Sequence, residues 1–205
     1  MNKRTCLTIG LMTLLVSGTQ ANQQQLAVSI KDARAEATRT SQQLKATLEA
    51  LNALTKQTKG DLRPAYNAFA AEIPKTEAAA GWTGTRVRWM ASDGRQYFQS
   101  WQKTIDGIAN ESLRKKAQKR FNAVQESYGK VEIAFQKAAD KFKPFLSDLN
   151  DIQKTLATDV TPGGVKAIKS TVSSANWNHK FVSSAIHSAL KEMDKMQKSL
   201  SSEAK

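Results

Sequence analysis

The feature that most constrains this chain is the spacing of its apolar residues between positions 121 and 156. Most of the residues between them are Lys, Gln, Asp, Glu and Ser. Because an α-helix has about 3.6 residues per turn, steps of three and four place every member on one helix face. A mean step near 3.5 held this long predicts a helix that packs lengthwise, as in a coiled coil. The row alternates steps of three and four throughout and consists of Phe121, Val124, Tyr128, Val131, Phe135, Ala138, Phe142, Phe145, Leu149, Ile152 and Leu156.

Two further rows have the same character. One has a single polar member, His179, and consists of Val165, Ile168, Val172, Ala175, His179, Val182, Ile186, Ala189, Met193, Met196 and Leu200. The other is weaker, is interrupted by Thr40, and consists of Leu26, Ile30, Ala33, Ala37, Leu44, Leu48, Leu51 and Leu54. Strands would need apolar residues at every second position, and these rows lack that period.

A single amphipathic helix is only marginally stable in water. Each apolar row must therefore be buried against another helix, either within the chain or in a homo-oligomer. The sequence predicts an all-α protein: an elongated antiparallel helical bundle with coiled-coil-like packing and about four main helices.

Turn and capping residues indicate where the first helices end. Residues 59–61 should stop the first helix at Gly60, and Asp61 can cap the next one. A short helix over 62–73 is expected to reach Pro74, where we predict a bend or a break. Residues 81–84, with two glycines, form a second weak point before a helix over 87–108.

Similar signals delimit the second half of the chain. Asn110 is expected to cap a long helix over 111–158. Pro144 lies inside that helix, but the apolar row keeps its phase across it, so we predict a kink and no stop. The run 161–164, Thr-Pro-Gly-Gly, should form the turn after which the chain doubles back.

The first 21 residues have the pattern of a secretory signal peptide. Lys3 and Arg4 precede an apolar run over 6–16, which is followed by small residues that end at Ala21. Eleven residues are too few to span a bilayer core of about 30 Å as a helix. We predict cleavage after Ala21 and a mature chain, 22–205, that forms a single helical-bundle domain.

This leader resembles a lipoprotein signal except at one position. Residues 16–19 read Val-Ser-Gly-Thr, with Thr19 where the lipidated Cys would stand. Without that thiol no lipid can be attached, and Cys6 lies before the apolar run. We therefore expect a soluble periplasmic protein of a Gram-negative envelope, without a transmembrane span and without cysteine.

The residues of recognised catalytic and cofactor sites do not occur in the required spacing. One Cys excludes a disulfide framework, and His179 and His187 are eight residues apart, too far to share a zinc-binding helix face. There is no phosphate-binding Gly-rich loop and no nucleophile elbow. We expect a protein that is not an enzyme and holds no metal or cofactor, with His179 as a hydrogen-bonded core residue.

A cluster of basic residues near the start of the long helix is a candidate binding surface. The chain has 31 Lys and Arg against 18 Asp and Glu, a formal net charge of +13. The cluster consists of Arg114, Lys115, Lys116, Lys119 and Arg120, and Lys137, Lys141 and Lys143 add further charge. Such a cluster attracts anionic partners, although a solvated helix face is the alternative interpretation. Export argues against nucleic acid as the partner.

A group of aromatic residues is the second candidate surface. Its members are Trp82, Trp89, Tyr97, Phe98 and Trp101, interspersed with Arg86, Arg88 and Arg95. Tryptophan with arginine is typical of binding interfaces and membrane interfaces. We favour the alternative that these rings fill the end of the bundle where the chain bends. Trp177 is a separate aromatic residue that should pack against a neighbour.

Three short stretches resemble an uncharacterised bacterial family, domain of unknown function twenty-nine fifty-nine. They are Gly-Asp-Leu-Arg-Pro-Ala-Tyr at 60–66, Ile-Ala-Asn-Glu-Ser-Leu-Arg at 108–114 and Lys-Pro-Phe-Leu-Ser-Asp-Leu at 143–149. The similarity covers most of residues 26–200. It implies a helical fold and an envelope location, and it brings no activity or site residues. Lipoprotein leaders are common in the family, and Thr19 departs from that pattern.

These observations together predict a protein that acts by binding. We expect a chaperone-like or scaffolding role, in which basic helices capture an acidic or unfolded protein or an anionic envelope surface. The alternative is a structural oligomeric spacer without a ligand. An enzyme with an unrecognised active site ranks third.

Overall fold

The computed structural model describes the backbone of residues 3–57 and 59–201, and the side chains of residues 18–57 and 59–200. Residues 1 and 2 of the predicted leader, and the side chains up to position 17, lie outside the described part. The first helix passes through Ala21, so cleavage after that residue stays a prediction.

The described chain is helical, with four long helices and one short one. They are α1 (Lys3–Lys56), α2 (Arg63–Asp106), α3 (Glu111–Thr158), α4 (Pro162–Ala167) and α5 (Lys169–Ser201). No strand occurs in the residues that the structure describes. The predicted all-α class with about four main helices is confirmed.

The contacts of the chain form two compact units. Unit 1 contains 3–33, 86–132 and 192–201 of the described residues, and unit 2 contains 34–85 and 133–191. Each unit includes a segment of all four long helices, and in each a hydrogen bond joins α1 to α2, α2 to α3, α3 to α5 and α5 to α1. In unit 1 these bonds are Thr19–Thr104, Tyr128–Met90, Arg120–Ser199 and Gln23–Leu200, and in unit 2 they are Thr47–Thr76, Tyr66–Gln153, Ser174–Asp148 and Asn52–Asn176.

The apolar rows form the cores of the units, as their period predicts. Every member of the α3 row is buried except Phe142, which is partly exposed. In the row that runs from Val165 to Leu200, all members but Val165 and His179 are buried. In the α1 row only Leu48 is partly exposed. Thr40, which interrupts the α1 row, is itself buried.

Threonine pairs join α1 to α2 inside unit 2, and all of their members but Thr83 are buried. Thr40 Oγ1 lies 2.9 Å from Thr83 Oγ1, and Thr47 Oγ1 lies 2.6 Å from Thr76 Oγ1. The numbers rise by seven on α1 while they fall by seven on α2, so the two segments are antiparallel. Thr47 donates its single hydroxyl proton to Gln43 O, at 2.9 Å. The proton between Thr47 and Thr76 therefore comes from Thr76.

Thr47→Val is expected to reduce the free energy of unfolding by about 1–2 kcal/mol, because the fully buried Thr76 hydroxyl then loses its acceptor. Thr47→Val with Thr76→Val removes both hydroxyls at nearly constant shape and should restore most of that loss. Urea unfolding of both single variants and the double variant measures the coupling. A double variant as unstable as the sum of the singles would show that the pair is not coupled.

The core of unit 1 is aromatic and depends on a glycine. Tyr128, on α3, donates a hydrogen bond to Met90 O on α2 at 3.0 Å. Its ring lies over Gly94, where an added Cβ would be 2.6 Å from the Tyr128 Cζ and hydroxyl oxygen. Phe98 contacts this ring and that of Phe121, at centroid distances of 5.4 and 5.7 Å. Gly94 thus sets how closely α2 and α3 approach in this unit.

Of the bend or break predicted at Pro74, the break is wrong. The helix continues through Pro74 and through 81–84, so the two expected helices are one. An interior proline costs about 3 kcal/mol, but burial continues on both sides of it, at Phe69, Ile73 and Thr76. A break would take these residues out of register with α1. The helix also continues through Pro144, as predicted.

The predicted caps and turns are found, and the short helix α4, which the sequence did not predict, begins within the last of these turns. Asp61 Oδ1 accepts a hydrogen bond from the Arg63 N–H at 3.0 Å, and Asn110 Oδ1 accepts one from the Leu113 N–H at 3.0 Å. The 161–164 turn contains the start of α4, which Thr161 caps. Gly164 lies directly against Asp159 O, where no side chain would fit.

Candidate functional site

The predicted basic cluster lies on the first turns of α3, in unit 1. Lys115 and Lys119 are on the helix face opposite the buried row, Lys116 and Arg114 lie on its two flanks, and all four side chains are exposed. Lys115 Nζ forms an ion pair with Glu111, at 2.7 Å. Arg114, Lys116 and Lys119 have no ion-pair partner among the residues that the structure describes. We call these three exposed side chains, which lie on different sides of the helix, the free basic surface of α3.

Arg120 has a different role from the rest of the cluster. It flanks the buried row and its Nη2 donates a hydrogen bond to Ser199 O, at 2.6 Å. Ser199 lies in the last turn of α5, where carbonyl groups lack partners within the helix. The guanidinium therefore stabilises the end of α5, and a place for Arg120 in a binding surface stays a prediction.

The predicted aromatic group does not form one surface. Tyr97 and Phe98 are buried in the aromatic core of unit 1, and Trp101 packs there against Tyr97 and Phe121, with centroid distances of 5.3 Å to each. For Trp101 the expectation that the rings fill the bundle therefore holds. It is wrong for Trp82 and Trp89, which are 61% and 53% exposed.

The two exposed tryptophans of α2 have different surroundings. In unit 1 the Arg86 guanidinium lies 4.8 Å from the centre of the Trp89 ring, and Arg86 is also 3.5 Å from Asp32 on α1. Trp89 is thus covered on one face by an arginine that already has an acidic partner. Trp82, in unit 2, lies on the part of α2 that follows Pro74.

An exposed group of aromatic and lysine side chains on α3 and α5 of unit 2 was missed by sequence reasoning. Trp177 and Phe181 pack edge to face, with ring centroids 5.2 Å apart, yet they are 59% and 42% exposed. Lys180 Nζ lies 5.5 Å from the Trp177 ring, and Lys141 Nζ, from α3, lies 5.5 Å from the Phe181 ring. We call these four residues the lysine–aromatic surface.

One signal for this surface was present in the sequence. Trp177 and Phe181 are four residues apart and therefore neighbours on a helix, on the face away from the apolar row. Trp177 does pack against a neighbour, as predicted, but it is not buried. The approach of Lys141 depends on how α3 and α5 are paired, which no local spacing reveals.

The acidic groups near the lysine–aromatic surface already have partners. Lys143 donates to Asp140 Oδ1 at 3.1 Å, and this bond, together with one from Gln136, lowers the pKa of Asp140. Asp148 accepts hydrogen bonds from Ser174 and Asn178, at 2.8 and 2.7 Å. Both carboxylates therefore make their hydrogen bonds to residues other than Lys141 and Lys180.

The surroundings of His179 and one cleft in unit 2 complete the description of the candidate sites. His179 is half-buried, lies 3.3 Å from Ser183 Oγ and 5.7 Å from the Phe145 ring centre, and burial lowers its pKa. Within the described residues, no three His, Cys, Asp or Glu side chains are grouped closely enough to hold a metal. A cleft of 420 Å³ in unit 2 is lined by Thr55, Gln57, Pro162, Val165, Lys166, Lys169, Val172 and Ser173.

No helix in the described part of the chain has an apolar stretch long enough to cross a membrane. A family described as Protein of unknown function (DUF2959) matches residues 17–200. No curated protein and no solved structure matches the chain.

Proposed function

The chain belongs to the family Protein of unknown function (DUF2959), and from its surfaces we propose that it is an exported helical binding protein that captures polyanionic partners by electrostatic attraction. The partner is an acidic or unfolded client protein or an anionic surface of the envelope. The role is that of a chaperone or scaffold, without bond chemistry.

The free basic surface of α3 carries this proposal. Arg114, Lys116 and Lys119 are exposed and lack acidic partners in the described part of the chain. The helix dipole opposes positive charge at Arg114, in the first turn of α3, and Lys116 and Lys119 are three residues apart and repel each other. These side chains have no ion pair in the described part of the chain that would stabilise the fold, which supports a role in binding an anion.

The proposed export rests on the leader pattern of residues 1–21. An exported chain of a Gram-negative envelope would lie in the periplasm. There the partners of a basic surface are acidic polypeptides and anionic lipid headgroups. The chain has a formal charge of +13, and loss of Lys3 and Arg4 with the leader leaves +11 on the mature protein; this field would draw such partners from a distance and speed their association.

Arg114→Glu, Lys116→Glu and Lys119→Glu together are expected to reduce binding to polyglutamate about tenfold or more at low salt. Arg120 stays unchanged because it holds the end of α5. Acidic residues near a helix N-terminus are favoured, so the triple variant should keep its helical circular dichroism. Binding of the unaltered protein should weaken above about 0.15 M salt, where the screening length falls below about 8 Å.

The matched control reverses three scattered cations, with Lys31→Glu, Lys59→Glu and Arg95→Glu. These side chains are exposed and the net charge changes equally. If both triple variants bind alike, charge alone matters and the α3 surface is not the site. Failure of the unaltered protein to bind, with a mass that rises with concentration in light scattering, would favour the oligomeric spacer.

A further inference from the structure

The lysine–aromatic surface of unit 2 combines two features that a soluble helical bundle has no structural need to expose together. Trp177 and Phe181 are on the face of α5 away from its apolar row, and more than a third of each side chain is exposed. Lys180 and Lys141 place their ammonium groups 5.5 Å from these two rings. The rings and the charges thus occupy one patch over α3 and α5.

The charge of this patch is only partly offset within the described part of the chain, where Asp140 attracts Lys141 electrostatically but forms its ion pair with Lys143. Lys141 and Lys180 have no salt bridge there, and Asp140 is bound to Lys143. Between residues 133 and 191 the sequence contains eight lysines, four aspartates and no glutamate. On α3, exposed Ile133 and Lys137 precede Lys141 at intervals of four and continue the same combination of apolar and basic groups.

A bilayer that contains anionic phospholipid satisfies both features at once. Tryptophan and other aromatic rings are favoured at the boundary between headgroups and acyl chains, where an apolar body and a polar edge both find partners. Lysine stems can lie along apolar surface while their ammonium groups reach phosphates. An acidic protein would satisfy the lysines but would leave the two rings without an apolar counterpart.

We infer that this protein docks peripherally on anionic membranes through the lysine–aromatic surface, with Trp177 and Phe181 entering the headgroup boundary and Lys141 and Lys180 contacting lipid phosphates. Docking in this way needs no membrane-spanning helix. The inference extends the proposed function, since it names one anionic partner, but it rests on residues outside the α3 basic surface.

Sedimentation with vesicles tests the inference on the full chain. The vesicles are equimolar phosphatidylcholine and phosphatidylglycerol, with pure phosphatidylcholine for comparison. Trp177→Ala with Phe181→Ala should lower the affinity for the anionic vesicles about tenfold or more. Lys141→Gln with Lys180→Gln should remove most of the preference for phosphatidylglycerol.

Two matched controls separate the surface from general effects. Trp82→Ala removes a tryptophan of unit 2 that is equally exposed, and it should leave vesicle binding unchanged. Lys45→Gln with Lys75→Gln removes the same charge at lysines that pair with Glu49 and Glu72, and it should also leave binding unchanged. All four variants change exposed side chains, so circular dichroism should stay helical.

A second measurement locates the ring in the bilayer. Vesicles of the same composition with brominated acyl chains should quench tryptophan fluorescence of the unaltered protein. Trp177→Phe keeps an aromatic ring and should keep most of the affinity, while the quenching falls sharply. Quenching that persists in Trp177→Phe would overturn the assigned orientation.

The outcomes separate the inference from the proposed function. Vesicle binding that is unchanged in Trp177→Ala with Phe181→Ala overturns the inference, as does binding of polyglutamate without any binding of vesicles, which leaves the proposed function standing. If the α3 triple variant binds polyglutamate normally while the lysine–aromatic variants lose vesicle binding, the proposed role of the α3 surface fails and the membrane inference holds.

Discussion

Gly94→Ala is expected to lower the free energy of unfolding by about 2 kcal/mol, although alanine is normally the better helix residue. The added Cβ would lie 2.6 Å from the ring and hydroxyl oxygen of Tyr128. That ring cannot move aside freely, because it is 5% exposed, contacts Phe98 and donates its hydroxyl proton to Met90 O. Burial also raises the pKa of Tyr128, which keeps this donor protonated. Urea unfolding followed by circular dichroism measures the loss.

A glycine on the same helix provides the control. Gly81 is exposed and nothing lies within 4 Å of an added Cβ. Gly81→Ala should therefore stabilise the protein by about 0.5–1 kcal/mol. In Tyr128→Leu, which removes the obstructing ring, Gly94→Ala should cost much less than in the unaltered protein. An equal cost in both backgrounds would contradict the assigned clash.

Phe145→Ala is expected to cost about 3–5 kcal/mol, the largest effect of a single truncation that we predict. Phe145 is fully buried on the α3 row of unit 2, with its ring 5.7 Å from that of His179. Truncation removes the transfer free energy of the ring and leaves a cavity between elements that are tied together by hydrogen bonds. Thermal and urea unfolding measure the change.

Phe181→Ala is the matched control, because it removes the same side chain from the same unit at a position that is 42% exposed. Its cost should stay below about 1 kcal/mol. Similar losses for the two phenylalanines would show that Phe181 supports the fold, and would count against its use in membrane docking.

Much of the fold follows from local sequence. The α3 row predicts which face of α3 is buried, and Asn110 and Asp61 cap helices where their positions indicate. The helix α2 is an exception, because it continues through Pro74. The expectation of a break there considers only the local cost of an interior proline, about 3 kcal/mol, and not the burial of Phe69 and Ile73, which an unbroken helix preserves.

The candidate surfaces were less predictable than the fold. All five basic residues near the start of α3 look alike in the sequence, yet Arg120 is bound to the end of α5. Trp82 and Trp101 belong to one aromatic group in the sequence, but one is exposed and the other packs in a core. Pairing between helices decides each of these cases.

By itself the sequence determined the helical class, the buried faces of α1, α3 and α5 and most helix ends, because these follow from the 3.6-residue turn and from capping groups within a few residues. Only the tertiary structure decided which helices pack together, which basic side chain donates a hydrogen bond to the end of a helix, and which aromatic rings contact lysine ammonium groups. Those contacts join residues far apart in the chain, 79 positions for Arg120 and Ser199 and 177 positions for Gln23 and Leu200, so they depend on the register between helices.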